Sequence, residues 1–176
     1  MKPVDRSDEC GRGKDDEVVA PDSSGSASAL TDFDWAVRSR IYETFAATGS
    51  APVIPEIAAF VGSTEFQVRS ALQRLYGAHE IALLPNGDGV WMANPFSGVP
   101  TDYVVETAEM TCYAPCAWDA MGVPALLETD GWIRTRCAGT GEPLEFGIEG
   151  GALKGDDGVI HLSTPIRDAW IDIGFT

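Results

Sequence analysis

Large apolar residues recur every fourth position at Phe33, Val37, Ile41 and Phe45, which places them on one stripe of a helix. Gly49 and Pro52 close that helix. Pro55 then stands where a first helical turn accepts it, followed by Ile57, Ala58 and Val61 on an inward face, and Gly62-Ser63 break the chain again. Thr64 and Gln67 have the spacing of a capping box, with Val68, Ala71, Leu72 and Leu75 as the apolar face behind it. Two short extended runs come next, Ile81–Leu84 and Val90–Met92, separated by a Pro85–Gly89 segment suited to a hairpin turn. Three helices and a hairpin predict a winged helix-turn-helix over residues 32–94.

Asn94–Pro100 is a loop by composition and marks a boundary. Beyond it, Tyr103–Ala108 reads as extended and Pro115 to about Met121 as helical, with Gly122 and Pro124 limiting or kinking the helix. Trp132–Cys137, Leu144–Ile148, Val159–Leu162 and Trp170–Ile173 read as strands between Gly, Asp and Pro turns. The expected class is therefore α+β: a winged helix-turn-helix, then a mostly antiparallel α+β domain over 101–176. Residues 1–31 carry few large apolar side chains and many Asp, Glu, Ser and Gly. They are expected to form a disordered acidic arm that includes Cys10.

Composition narrows the function. The 176 residues include 12 Lys+Arg against 27 Asp+Glu, a net charge of −15. Such a chain repels phosphate backbones and anionic membranes. The expected helix-turn-helix is itself acidic, with Arg38, Arg40, Arg69 and Arg74 set against Asp32, Asp34, Glu43, Glu56, Glu65, Glu80 and Asp88. Gln67, Arg69, Gln73 and Arg74 would lie on its recognition helix, but the surroundings disfavour nucleic acid. No apolar run approaches the ~18–20 residues that span a bilayer, and the start lacks a secretory signal. A cytoplasmic protein with thiols rather than disulfides is the expectation. No Gly-rich phosphate loop or Schiff-base lysine is present, so no organic cofactor is expected. Cys112, Cys116, Cys137 and His161 have the atoms of a zinc site but not its spacing.

Chemistry concentrates in Met110–Met121. With Pro115 at the first helical position, Cys116 would sit in the first turn. There, free N–H groups and the helix dipole favour a thiolate. Asp119, three residues on, would share a face with the sulfur. A soft sulfur beside a proton carrier suits a reaction that grips a soft metal and moves a proton. The plainer alternative is a small core cysteine and an aspartate that answers the dipole.

The segment Tyr113-Ala114-Pro115-Cys116-Ala117-Trp118-Asp119-Ala120-Met121-Gly122-Val123-Pro124-Ala125-Leu126-Leu127 resembles the active-site segment of the alkylmercury lyase family. Thr135-Arg136-Cys137-Ala138-Gly139-Thr140-Gly141-Glu142-Pro143 resembles that family's Cys-Ala-x-Thr-Gly stretch. The preceding helix-turn-helix also matches what the family carries. The resemblance implies protonolysis of carbon–mercury bonds, giving a hydrocarbon and Hg(II). Cys116 would be the mercury-binding thiolate, Asp119 the proton carrier and Cys137 a structural core residue. An organomercurial would be the small-molecule partner and a mercuric reductase a possible acceptor of Hg(II), with mercury bound only as substrate and product. The family's second catalytic cysteine belongs downstream of Asp172–Thr176, so the lyase-like domain is expected to be incomplete at its C-terminus. The alternatives are a mercury-binding protein without turnover and a helix-turn-helix regulator.

Overall fold

The computed structural model describes residues 29–156, 158–162, 164–171 and 173–174. Cys10 and the expected arm as far as residue 28 lie outside them. The arm's last residues belong to the fold: Leu30 packs against the core, and Thr31 caps the first helix.

Helix α1 (Asp32–Thr48) starts with a capping box in which the Thr31 hydroxyl oxygen accepts from the Asp34 N–H and the Asp34 carboxylate accepts from the Thr31 N–H. It ends at Gly49, whose φ of 72° is left-handed. A side chain there would also drive its Cβ to 2.1 Å from the Thr111 carbonyl oxygen, so glycine is required twice over. Helix α2 (Ile54–Val61) accepts Pro55 in its first turn, and α3 (Glu65–Gly77) carries the Thr64–Gln67 box. The hairpin β1 (Ala82–Leu83) and β2 (Val90–Ala93) follows as expected.

The next stretch departs from expectation. The 94–100 segment contains a strand, β3 (Phe96–Ser97), and Phe96 is fully buried against Phe45, with stacked rings 5.1 Å apart. Strand β4 (Tyr103–Thr107) is followed by β5 (Thr111–Ala114), which the sequence reading did not expect. Helix α4 (Ala117–Leu126) begins two residues later than expected, leaving Pro115 outside and Cys116 as its N-cap. It runs through Gly122 and Pro124 rather than stopping there. Pro124 is buried and faces Gly131 of β6 (Gly131–Arg136), where a Cβ would lie 3.1 Å from the proline ring. Packing of that ring offsets the hydrogen bond that proline removes. Strands β7 (Pro143–Glu149) and β8 (Ala152–Gly155) complete the sheet.

Two expected strands are not formed. Gly150 and Gly151, both at positive φ, turn the chain straight back, so β8 takes the edge of β7, and residues 159–162 join no ladder. Trp170 and Ile171 of the Trp170–Ile173 run instead close a 3-10 turn, Ile166–Ile171, started by Pro165; Asp172 lies outside the described residues.

The fold is thus α+β around one antiparallel eight-stranded sheet in the order β1-β2-β3-β5-β4-β6-β7-β8. One core spans it, from Val37, Ile41 and Leu72 through Phe96 to Val105, Val123 and Ile133. A buried ion pair ties the helices together. Asp34 is 0% exposed and accepts from Nη2 of the Arg74 guanidinium at 2.6 Å and from its Nε at 3.1 Å, across 40 residues of sequence.

Candidate active site

Strand β5 delivers the chain to the sheet's α4-covered face, and Ala114 is buried there. The backbone then turns at Pro115 and stays extended through Cys116, with φ of −150°, before α4 begins. This puts Cys116 at the N-cap and Asp119 at the third helical position, the geometry in which a cap side chain and the N3 side chain meet. The Cys116 thiol donates to Asp119 Oδ2 at 3.2 Å. Both groups are half-buried. The expected pairing of sulfur and carboxyl is therefore formed.

The expected ionisation is not. Burial pushes the Cys116 thiol above its ordinary value of 9.0, and the Asp119 carboxylate adds to this through its charge and its bond to the S–H. The N–H groups of Asp119 and Trp118 pull the other way, but neither closes a capping hydrogen bond to the sulfur. Burial likewise raises Asp119 above the usual carboxylate range, against the lowering effect of the Cys116 bond. The resting pair thus keeps a proton on sulfur, aimed at a carboxyl that holds protons more firmly than an exposed one. The helix terminus loses to burial and to the neighbouring charge.

The other described thiols are placed differently. Cys112 on β5 is 1% exposed, and burial raises its pKa to about 11. Strand β5 is extended, so this sulfur belongs to the core. Cys137, expected in the core, is instead half-exposed where β6 leaves the sheet. Its N–H donates to the Glu142 carbonyl, and its own carbonyl accepts from the Gly141 N–H. The Thr140 hydroxyl and the N–H groups of Thr140 and Gly139 lower its pKa and so favour the thiolate. That hydroxyl has one proton and also reaches Glu142 Oε2 at 3.1 Å, so the backbone amides are the steadier contribution. Among the described residues, no cluster of three or more His, Cys, Asp or Glu could hold a metal ion. Alkylation by iodoacetamide at pH 8 is expected to label Cys137 first, Cys116 slowly and Cys112 only after unfolding. Mass spectrometry of timed samples reads that order, and early labelling of Cys112 would contradict its placement.

Two tyrosines unmarked in the sequence feel the charge of the pair. Tyr103 on β4 stands opposite Ala114 in the register, and its pKa is raised by burial and then by the charge of Cys116. Tyr42 on α1 donates from Oη to the Asn94 carbonyl at 3.0 Å; burial raises its pKa against the lowering effect of Arg38, with smaller upward pushes from Glu80 and then Asp119. A lone tyrosine on a helix stripe or a strand carries no sequence signal of this kind. Two concavities, of about 610 and 640 Å³, lie beyond the far end of α4 around Thr129 and Asp130, away from Cys116.

Residues 96–174 match the alkylmercury lyase family model. The chain superposes on the crystal structure of the mercury-bound form of MerB2 with a TM-score of 0.58 at 24% sequence identity, a likeness of fold. The match covers 72% of this chain and 60% of that one, so this chain spans only part of the relative's length. No curated protein matches. From β3 onward, over residues 96–174, this chain is similar to the alkylmercury lyase family.

Proposed function

We propose that the chain is an organomercurial lyase-like protein that breaks carbon–mercury bonds by protonolysis. The observation that carries this reading is the Cys116–Asp119 pair, sulfur to carboxylate at 3.2 Å, inside the matched region. Mercury is soft and prefers sulfur to oxygen. As the Cys116 sulfur bonds to the mercury of R–Hg–X, its proton passes to Asp119 and X leaves. Asp119 then returns that proton to the carbon, the C–Hg bond breaks, R–H departs and Hg(II) remains on sulfur. A carboxyl raised by burial suits both halves, because it takes the proton and holds it within reach. A second sulfur on the mercury would push electron density toward the carbon. Cys112 is too buried to serve, so the assay includes excess small-molecule thiol.

The partners are an organomercurial and, downstream, a mercuric reductase as acceptor of Hg(II). No organic cofactor is needed. No described helix is long and apolar enough to cross a membrane, and a cytoplasmic location is the proposal. Residues 32–94 are read as a winged helix-turn-helix used for packing rather than for binding DNA. Arg74 is held by Asp34, Arg69 by Asp88 at 2.6 Å, and Gln67 by its capping box, which leaves few groups for a nucleic acid. A gel shift at low salt checks the regulator reading.

A second reading is capture of mercurials without turnover, favoured by the absence of another described thiol at the pair. Incubation with methylmercury separates the two: released methane means lyase, and a stable adduct on Cys116 means capture. Cys116→Ser is expected to abolish both, measured by headspace gas chromatography and intact mass. Undiminished methane from that variant would show that another group binds the mercury.

A further inference from the structure

We propose that Thr101 is a positioning residue of the thiol–carboxyl pair: its hydroxyl pins the end of β5, so that the chain leaves the sheet with the Cys116 sulfur against Asp119. The consequence for turnover rests on the lyase reading; the geometry stands in the ladder itself. The last pair between β4 and β5 is Tyr103 with Ala114. Pro115 follows and has no N–H, so the ladder loses its next donor there. The Thr101 hydroxyl works at this end. It accepts from the Tyr103 N–H at 3.1 Å and donates to the Ala114 carbonyl at 2.6 Å. The Tyr103 carbonyl is a second acceptor at 3.4 Å, and the single proton goes to the nearer oxygen. Ala114 is 0% exposed, so water does not reach its carbonyl to replace the hydroxyl.

The loop that carries Thr101 is itself braced. Ser97 on β3 is buried and pairs with Tyr113, and its hydroxyl donates to the Val99 carbonyl at 2.8 Å. Residues 97–101 thus grip Tyr113 and Ala114 in succession. Past them only Pro115, its φ fixed by the ring, precedes Cys116. On the helix side the Cys116 carbonyl accepts from the Ala120 N–H at 2.9 Å. Cys116 is therefore held from the sheet through Thr101 and from α4 through its own carbonyl, and the 3.2 Å contact with Asp119 follows. A proton passing between sulfur, carboxylate and carbon depends on that register, and a misplacement of about 1 Å costs about a hundredfold. Capture of mercury needs only a reachable sulfur, so the loss belongs in kcat more than in KM.

Thr107 supplies a control. At the other end of β4 its hydroxyl donates to the Met110 carbonyl and accepts from the Met110 N–H, both at 3.2 Å, a similar bridge with no Cys116 beyond it. The experiment measures methane from methylmercury chloride for the full chain and for Thr101→Val, Thr101→Ser and Thr107→Val, with urea midpoints alongside. Thr101→Val keeps the shape and removes the hydroxyl; its kcat is expected to fall about ten- to a hundredfold, with KM within about threefold. Thr101→Ser returns the hydroxyl on a freer side chain and is expected to stay within about threefold of wild type. Thr107→Val is expected to lose stability and keep its rate. Wild-type turnover in Thr101→Val, a serine variant as slow as the valine one, or an equal loss from Thr107→Val overturns the proposal. If Thr101→Val does not fold, Thr101→Ala, which leaves room for a water, is expected to lose at least about threefold, and full activity there overturns it. Should wild type release no methane, the lyase reading fails by itself, and the pair is read through alkylation. Asp119→Asn is then expected to change the iodoacetamide rate of Cys116 at least about twice as much in the wild-type background as in Thr101→Val. The same change in both backgrounds would show that Thr101 does not place the sulfur.

Discussion

Asp119→Asn is expected to quicken alkylation of Cys116 at neutral pH while stopping the release of hydrocarbon. The two effects have opposite signs because Asp119 acts on the sulfur in two ways. As a charge and as the acceptor of the S–H bond it holds the thiol's pKa up, and an amide removes the charge. Burial, the largest cause of the raised value, remains, so the pKa falls part of the way toward 9.0. Well below the pKa, each unit of decrease multiplies the thiolate fraction about tenfold, and the poorer nucleophilicity of a less basic sulfur takes back about threefold. The net gain in alkylation is about threefold per unit. The amide, however, cannot accept and return a proton. Cleavage is expected to drop by at least the ~10²–10⁴-fold that a positioned acid–base group supplies. Iodoacetamide kinetics and headspace hydrocarbon on one preparation check both arms. A variant that alkylates more slowly would mean that Asp119 helps ionise the sulfur. One that still cleaves at the wild-type rate would remove Asp119 from the reaction.

Asp34→Ala is expected to cost about 2–4 kcal/mol of stability, measured as a lowered urea midpoint. The carboxylate is fully buried and accepts from Arg74, from the Thr31 N–H and from the Thr31 hydroxyl. Its removal unpairs a guanidinium and opens the cap of α1 together. The cost stays below that of a wholly buried pair because the Arg74 side chain is 38% exposed and can be re-solvated. The pH dependence has a definite sign. Burial alone would raise Asp34, but the bonds from Arg74 and Thr31 outweigh it and hold the carboxyl below its ordinary 3.8. A lowered folded-state pKa stabilises fully above the unfolded value and loses that contribution as pH falls through the folded value. Wild type should therefore lose stability below about pH 4. Asp34→Asn should start lower and show a flatter acid limb. Equal acid limbs would mean that the pair adds nothing through its charge.

The helices were legible in the sequence because periodicity and punctuation agree there. The Phe33–Phe45 stripe ends at a glycine that must be left-handed, and Thr64 with Gln67 closes a real box. The short strands were not. Phe96–Ser97 is two residues long amid Pro and Gly, and its pairing is set by Ala93 and Tyr113 from elsewhere in the chain. Strand β8 is exposed along its whole length, so it shows no alternation, while Val159–Leu162 looks like a strand but finds its place already taken. At the site, spacing gave the Cys116–Asp119 contact correctly, because three residues at a helix start determine it. The charge state was misread, because burial and a neighbouring carboxylate outweigh the helix terminus. Cys137 was misplaced for a related reason: the local motif does not reveal that β6 has already left the core.

The continuous sheet bears on how this protein could be shortened by an engineer. The family match begins at Phe96, which tempts a cut just before it. That cut would strip β2 from β3, take away the Phe45 and Tyr42 rings that pack against Phe96, and remove the Gly49 contact under Thr111. A minimal fragment would present a raw ladder edge beside an aromatic side chain that the intact chain keeps fully dry, which is a recipe for inclusion bodies.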